Sequence, residues 1–349
     1  MTLRDEIFEQ PAAARRFLAS QSASVDTIAA AIRGREIDHV VIAARGTSDH
    51  AAIYAQYVLG VRHGLTAGLA TPSVVSVYGA DLRLTRGLVL AISQSGASPD
   101  IVAVVEAAQL QGAPTVALTN DPSSPLADAA DWTLDLSAGP ELAIAATKTY
   151  TASLLAIAAL SAALMPDLVA RAADQAAVAA VPAALEAMLA LEPEMERIAR
   201  DHAAANRLLG IARGFEYATA REWAIKIKEL AHVFADPYSA ADFQHGPVAL
   251  VEPGVPVLAI VRDGPTAAGL TEQIARLRED LDAQLAIVSD VPEALALATW
   301  PVPVARPAAE WLAPIATIVA GQLHALHLTI ARGLDPEAPR NIHKVTRTR

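Results

Sequence analysis

The sequence alternates short apolar runs with segments of helical spacing, and this rhythm restricts the chain to few folds. In the first half, strands are predicted at His39–Ala44, Leu88–Ile92, Thr115–Leu118 and Trp132–Leu136, and a short apolar run lies near Leu65–Ala70. Helices are predicted at Arg4–Ser20, Ser48–Val61 and Ile101–Leu110, near Leu126, and from Thr147 onwards. Strands and helices that alternate this closely favour a parallel sheet covered by helices on both faces. We therefore predict an α/β fold.

The same rhythm returns in the second half, after an Ala-rich helical stretch interrupted by Pro182 and Pro193. There the predicted strands are Arg207–Ile211, Val257–Val261 and Leu285–Ser289, and the predicted helices are Phe215–Phe234, Ala267–Leu281 and Leu312–Ala331. One architecture is expected to be used twice. The predicted parts are an N-terminal helical segment (1–34), a first domain (35–165), a helical linker (166–205), a second domain (206–335) and a C-terminal tail (336–349).

A hydroxyl-rich loop, Ser93-Gln94-Ser95-Gly96-Ala97-Ser98, stands between a predicted strand and a predicted helix. Serine hydroxyls and unpaired N–H groups at a helix N-terminus are suited to holding phosphate, although Ser and Gly also favour helix caps whatever the function. Ligands of such sheets lie at the carboxyl ends of the strands, where Gly46-Thr47-Ser48 also falls. Neither G-x-G-x-x-G nor G-x-x-x-x-G-K-[ST] occurs, so a small phosphomonoester is favoured over a nucleotide.

Composition excludes several classes of function. With 27 Lys and Arg against 38 Asp and Glu, the net charge is −11, which gives no basic surface for nucleic acid or anionic membrane. The chain has no cysteine, so disulfides and thiolate metal sites are excluded and a cytoplasmic location is expected. The acidic start lacks a signal-peptide pattern, and the apolar stretch Thr151–Met165 is too short for a membrane span, so we expect a buried helix there.

Candidate catalytic groups lie in the second half. On the predicted helix Phe215–Phe234, the side chains of Glu222, Lys226 and Glu229 fall on one partly shielded flank, beside the apolar stripe Trp223, Ile227, Leu230 and Phe234. This arrangement fits an exposed salt-bridged flank or a tuned base with its partner. His245 precedes Gly-Pro on a constrained turn, where it could serve in opening a sugar ring. No metal-ligand spacing or G-x-S-x-G elbow occurs, so neither a metal nor another cofactor is expected.

Together these motifs resemble the double sugar-isomerase (SIS) domain family, and within it the isomerase half of glucosamine-6-phosphate synthases. Eight motifs occur in the family order: Glu6–Pro11, Arg45–Ser48, Ser93–Ser98, Ala138–Glu141, Ala146–Lys148, Lys226–Glu229, His245–Pro247 and Pro339–Lys344. The resemblance covers nearly the whole chain. It implies two tandem SIS domains, each a parallel sheet flanked by helices on both faces.

The resemblance also implies a role for each matching residue. Phosphate binding is implied for Ser93, Gln94, Ser95 and Ser98, and sugar binding for Thr47, Ser48 and Ile144. Glu229 would be the base that moves a proton between C1 and C2, with Lys226 beside it. His245 would open the sugar ring from the neighbouring subunit, which requires a homodimer. Lys344, in the C-terminal tail, would close over the substrate.

Three departures from the synthases bear on the expected reaction. The chain begins at the isomerase half and so lacks the synthases' cysteine nucleophile, Ser98 replaces Thr, and His343 replaces Ala. Without ammonia delivered from glutamine, the site is expected to deaminate glucosamine 6-phosphate, or a close amino-sugar phosphate, to fructose 6-phosphate. Two alternatives stay open: a deglycase acting on a phosphorylated fructosamine, and a non-catalytic sugar-phosphate sensor. Pocket width near Ile144 and His343 would distinguish the deglycase, and retention of Glu229, His245 and Lys344 argues against the sensor.

Overall fold

The computed structural model describes residues 2–344, in which ten strands and fourteen helices alternate. The strands are β1 (His39–Ala43), β2 (Thr66–Leu69), β3 (Gly87–Ile92), β4 (Thr115–Thr119), β5 (Trp132–Asp135), β6 (Arg207–Ala212), β7 (Phe234–Ser239), β8 (Pro256–Val261), β9 (Gln284–Ser289) and β10 (Trp300–Pro303). The helices are α1 (Leu3–Arg33), α2 (Thr47–His63), α3 (Ser73–Ser76), α4 (Pro99–Gln109), α5 (Pro125–Ala129), α6 (Lys148–Leu164), α7 (Leu168–Ala179), α8 (Val181–Leu189), α9 (Glu192–Asp201), α10 (Tyr217–Lys226), α11 (Ala240–Phe243), α12 (Ala267–Leu281), α13 (Pro292–Leu295) and α14 (Ala313–Ala331).

The first sheet has the strand order β2-β1-β3-β4-β5, and every neighbouring pair is parallel. Its central strands β3 and β4 are buried along their whole length, as expected for strands covered on both faces. Helices α4 and α5 pack on one face through a cluster that includes Val89, Ala117 and Leu126. Helices α2 and α6 also contact the sheet. The strand order reverses between β1 and β3, which makes that point the expected ligand crevice.

The second sheet repeats this winding. Its order is β10-β9-β8-β6-β7, again parallel throughout, so β6 and β8 occupy the places that β1 and β3 hold in the first sheet. Helix α12 packs on one face through Leu270, Ile274 and Leu277, and α10 packs against β6, β7 and β8. The prediction of one α/β architecture used twice is confirmed.

The described chain divides into two compact units. The first-sheet unit comprises residues 9–141, 148–182 and 343–344, and the second-sheet unit comprises residues 2–8, 142–147 and 183–342. These boundaries do not test the five predicted parts, which stay a prediction. The stretch predicted as a helical linker forms α7, α8 and α9, in which Pro182 and Pro193 stand in first turns, where proline is tolerated.

The sequence reasoning was wrong at both edges of the second sheet. Strands β7 and β10 were missed because each contains proline, which is typical of edge strands that pair on one side only. The predicted helix Phe215–Phe234 ends earlier: α10 passes into a π-helical turn, Ile227–Ala231, and Phe234 begins β7 with its side chain exposed. Phe234 is therefore not part of the apolar stripe formed by Trp223, Ile227 and Leu230.

Two helical segments are long and apolar enough to cross a membrane by length and composition alone. In the apolar window of Glu310–Ala331, 83% of the residues are buried inside the fold, which is typical of a core helix, whereas for Leu168–Leu189 the share is 22%. Helix α6, which contains most of the apolar stretch Thr151–Met165, is buried along nearly its whole length. The prediction of a buried helix there is confirmed.

Candidate active site

The two loops singled out in the sequence begin side by side at the reversal point of the first sheet. Ala43 of β1 pairs with Ala91 of β3, so the segments that follow these strands emerge from neighbouring carboxyl ends. The first is Arg45–Ser48 and the second is Ser93–Ser98. This is the edge at which open α/β sheets bind their ligands.

The loop Ser93–Ser98 is held in one conformation by its own backbone and by the start of α5. The Gly96 N–H lies 3.2 Å from the Ser93 carbonyl oxygen, and the Gly96 carbonyl accepts a 3.1 Å hydrogen bond from the Leu126 N–H. Gly96 has a φ of +59°, and a Cβ at this position would overlap the side chain of Ser124. Only glycine fits this turn without strain.

Ser98 stands at the N-cap of α4 but does not use its hydroxyl as a cap. Its carbonyl accepts hydrogen bonds from the N–H groups of Ile101 and Val102, both at 3.1 Å, whereas its side chain makes no capping bond. The hydroxyl is half-buried at a helix N-terminus, where the helix dipole favours an anion.

An ion pair ties the two loops together. Arg45 places its Nε and Nη2 each 2.9 Å from Asp100 Oδ2, and Asp100 is 1% exposed. The other carboxylate oxygen, Oδ1, accepts a hydrogen bond from the Ile101 N–H. The sequence reasoning did not assign this pair, although an acidic residue directly after Pro99 in a first helical turn was the available signal. Arg45 offsets the negative charge that Asp100 brings next to the loop Ser93–Ser98.

The predicted sugar-binding residues Thr47 and Ser48 begin α2 directly after Gly46, whose φ is +56°. Both side chains are half-buried. Ile144, predicted for the same role, is also half-buried and lies in residues 142–147, which belong to the second-sheet unit.

Lys344, the tail residue predicted to close over the substrate, forms an ion pair within the first-sheet unit. Its Nζ lies 2.9 Å from Glu141 Oε2. Glu141 is 5% exposed and also accepts hydrogen bonds from Thr149, at 3.1 Å from the backbone N–H and 2.8 Å from the hydroxyl. The carboxylate of Glu141 is thus a buried anchor for the tail, a role that the sequence reasoning did not assign.

The predicted base and its partner form a buried ion-pair chain in the second-sheet unit. Lys226 Nζ lies 2.6 Å from Glu229 Oε2 and 3.4 Å from Glu222 Oε1. The side chains of Lys226 and Glu222 are 1% and 0% exposed, whereas that of Glu229 is 24% exposed. The expectation of a partly shielded flank was therefore wrong for Glu222 and Lys226, because α14 packs against this side of α10. Of these three side chains, that of Glu229 is the one partly open to solvent.

The backbone around Glu229 departs from regular helix. Glu229 lies in the π-helical turn, a feature common at functional sites, and His232 follows with a φ of +54°, rare for a residue other than glycine. Earlier in α10, Trp223 Nε1 donates to Nδ1 of the buried His324 at 3.1 Å. Trp223 also packs on Gly321 of α14, where a Cβ would lie 2.7 Å from the indole. These contacts fix the helix that carries Glu222 and Lys226.

His245 lies on the exposed turn after α11. Its backbone N–H donates to the Asp242 carbonyl at 3.0 Å, and Gly246 follows with a φ of +133°. Within residues 2–344 its imidazole has no hydrogen-bond or ion-pair partner. The loop Ser93–Ser98 belongs to one unit and Glu229 and His245 to the other, so the assembly of all these groups into one site stays a prediction.

The corresponding edge of the second sheet is filled by the protein itself. The loop after β8 contains Gly264, whose φ is +153°, and a Cβ there would lie 2.7 Å from both carboxylate oxygens of Glu310. Burial raises the pKa of Glu310. This loop has no serine cluster. Among residues 2–344, no three His, Asp or Glu side chains are grouped in a way that could hold a metal ion.

The repeated fold and its sequence place the chain in a defined family. The SIS domain family model matches residues 35–163 and 203–330, and the chain therefore belongs to the SIS domain family. The prediction from the eight motifs is confirmed at this level.

Several relatives with assigned names show which members of the SIS domain family this chain is similar to. Glutamine–fructose-6-phosphate aminotransferases (isomerizing) from Pyrococcus horikoshii and Zymomonas mobilis are 34% and 32% identical, over 97% and 98% of this chain. The chain spans just over half of their length, 56% and 58%. A protein from Silicibacter pomeroyi, provisionally assigned as a phosphosugar isomerase, is 37% identical with a TM-score of 0.86, over 96% of this chain and 100% of that one. A glucosamine-6-phosphate deaminase from Thermotoga maritima shares the fold over the full length of both chains, with 21% identity and a TM-score of 0.77.

Proposed function

We propose that this protein is a sugar-phosphate isomerase that acts on amino-sugar phosphates. The reaction is the interconversion of glucosamine 6-phosphate plus water with fructose 6-phosphate plus ammonia. The observation that carries the proposal is the ion pair between the buried Lys226 and the accessible Glu229, 2.6 Å apart. A module that only binds a sugar phosphate needs an anion loop but no such base.

The chemistry assigns one step to each group. His245 assists opening of the sugar ring, which exposes the C1 aldehyde. The Glu229 carboxylate removes the C2 proton, giving a C1–C2 enolamine, and returns a proton to C1, which leaves an imine at C2. Water adds to that imine and ammonia leaves. Lys226, 2.6 Å from Glu229, positions that carboxylate for the proton transfer, while Ser93, Gln94, Ser95 and Ser98 hold the phosphate away from the reacting carbons.

The amino-sugar assignment draws on the named relatives, in which nitrogen is transferred to fructose 6-phosphate. These 349 residues contain no cysteine and so no thiol nucleophile to release ammonia from glutamine. We propose free ammonia as the nitrogen partner of this site. The five-part domain division and a cytoplasmic location belong to the same proposal.

The test is ammonia release from glucosamine 6-phosphate by the wild type and by Glu229→Gln, with galactosamine 6-phosphate and a fructosamine 6-phosphate in parallel. We expect release from an amino-sugar phosphate, lowered by about 10²–10⁴-fold in the variant. Release of a free amino acid from the fructosamine alone would reassign the protein as a deglycase. Absence of turnover, with sugar phosphates still raising the Tm, would identify a sensor.

We also propose a homodimer in which His245 completes the partner's site. Its imidazole is exposed and unpartnered within residues 2–344, as a group that acts on a neighbouring subunit would be. Mixing the inactive variants His245→Ala and Glu229→Gln should restore about one quarter of the wild-type activity. About half of the dimers then contain one subunit of each variant, and one of the two sites in each such dimer has both Glu229 and His245. Absence of restoration after subunit exchange would place both groups in one chain.

A further inference from the structure

A cavity of about 500 Å³, wide open to solvent, lies in the second-sheet unit at the amino ends of β6 and β7. Its polar lining consists of Asn206, His232, Arg332 and Arg340, and the rest is alanine and leucine. The volume is in the range of small-molecule sites. None of these residues belongs to the predicted sugar-phosphate site.

The lining has a charge opposite to that of the chain. Two guanidinium groups and one imidazole line the cavity, and no carboxylate does, although the chain has a net charge of −11. Burial lowers the pKa of His232, and Arg340 and Arg332 lower it further, so both guanidinium groups act on the same imidazole. Such a grouping favours an anion.

The donors of this grouping are only partly used. Arg332 is fixed by hydrogen bonds from Nη1 to the carbonyl oxygens of Ala203 and Ala205, at 2.7 and 2.9 Å. Within residues 2–344, its other guanidinium nitrogens have no acceptor, and Arg340 forms no hydrogen bond or ion pair. His232 Nε2 is shielded from solvent and also lacks a partner there. The unused donors of Arg332 and Arg340 are therefore available to an anion.

The backbone at His232 supports a functional role. Its φ of +54° and ψ of +34° place it in the left-handed region directly after the π-helical turn. Strained positions of this kind are kept where the surroundings fix them, often at binding sites. The residue in this conformation, His232, lies in the lining of the cavity.

We propose that this cavity binds a small phosphate-class anion, either inorganic phosphate or a phosphate monoester. Arg332, already oriented, and Arg340 would bind its oxygens with their forked donors, beside the imidazole of His232. Because Arg340 stands four residues before Lys344, the anion would also hold the base of the tail. This inference goes beyond the proposed function and does not depend on it.

The test is calorimetric titration of the whole protein with inorganic phosphate, and separately with glycerol 2-phosphate to distinguish the free ion from the ester. We expect two phosphate sites per chain in the wild type, one here and one at Ser93–Ser98. Arg340→Gln should weaken one site by about tenfold or more, and Ser95→Ala should weaken the other. Arg276→Gln, which removes an exposed arginine of α12, should leave both sites unchanged.

The His232 imidazole gives a second readout. Its ring proton signals, assigned with His232→Gln, should shift when phosphate is added to Ser95→Ala protein but not to an Arg340→Gln/Ser95→Ala double variant. If Arg340→Gln binds phosphate as the wild type does, the inference is wrong. It is also wrong if the wild type has a single phosphate site per chain and Ser95→Ala abolishes it. Both results leave the proposed function standing. Loss of one site in Arg340→Gln with no effect of Ser95→Ala supports the inference and contradicts the assignment of the serine loop.

Discussion

Lys226 is enclosed between two carboxylates of its own helical segment, with Nζ 2.6 Å from Glu229 and 3.4 Å from Glu222. Glu222 and Lys226 are buried, so the ammonium balances a carboxylate that water cannot reach. The pair thus serves the fold as well as the chemistry proposed for Glu229.

Replacing Lys226 with Met should destabilise the protein by about 3–5 kcal/mol, because a buried Glu222 charge loses its counter-charge. Urea unfolding measures this change. The double variant Glu222→Gln/Lys226→Met should recover more than half of the loss. The control Lys228→Met, two residues away and exposed, should change stability by about 0.5 kcal/mol or less. An equal, small effect of both single variants would show that the pair does not stabilise the fold.

Two serines near the first-sheet edge should separate binding from stability. Ser98→Ala should change the free energy of unfolding by no more than about 0.5 kcal/mol, since the hydroxyl makes no capping bond. It should weaken sugar-phosphate binding by about 10–100-fold, the value of a hydrogen bond to a charged group. Ser124→Ala should lower stability and leave sugar-phosphate affinity unchanged, because Ser124 Oγ caps α5 by accepting a hydrogen bond from the Ala127 N–H. Such caps contribute about 1 kcal/mol. Thermal unfolding and calorimetric titration test both. A stability loss in Ser98→Ala with unchanged affinity would make this serine a structural cap.

Gly96→Ala should lower both the Tm and the affinity for sugar phosphate. The added Cβ meets a positive φ, which costs about 1–2 kcal/mol, and also overlaps Ser124, so the loop has to move. Gly112→Ala is the matched control, because Gly112 has a φ of +70° with no atom within 4 Å of a Cβ. It should show the cost of the positive φ alone, with unchanged affinity. Equal effects of the two variants would mean that the contact with Ser124 does not shape the loop.

The sequence predicted the repeated winding because buried parallel strands such as β3 read as continuous apolar runs bounded by turn residues. It failed at β7 and β10, where prolines and polar residues hide an extended edge strand. Local periodicity carries no information on pairing with a neighbour that is distant in the sequence.

The site was predicted unevenly for a similar reason. The loop Ser93–Ser98 is a contiguous motif, so its assignment as a phosphate site could be made from its own residues and stays a prediction. The anchors Asp100 and Glu141 depend on partners far along the chain, Arg45 and Lys344, so their roles appear only in the folded protein. The burial of Lys226 was also not predicted, because its helix α10 packs against α14, which lies about 90 residues later in the chain.

A buried pair of histidines should make the protein sensitive to acid. Trp223 Nε1 can only donate, so Nδ1 of His324 accepts, and neutral His324 donates from Nε2 to His202 Nδ1 at 3.1 Å. Protonation of His324 would place a proton on Nδ1, directly opposite the N–H donor of Trp223. Burial accordingly holds its pKa well below the usual value and lowers that of His202 to about 4.

Because both pKa values are depressed in the folded state, the unfolded chain binds more protons below about pH 6.5. The stability from these histidines is therefore complete above that pH and is lost as the pH falls towards 4, with a cost of about 3 kcal/mol from His202 alone. The variant His324→Gln keeps both hydrogen bonds, because its amide can accept from Trp223 and donate to His202. Near pH 5, the slope of its unfolding free energy against pH should be smaller than that of the wild type by about 1.4 kcal/mol per pH unit, the value of one proton. The control His343→Gln, at an exposed position, should keep the wild-type slope. If His324→Gln also kept the wild-type slope, His324 would already be protonated in the folded protein.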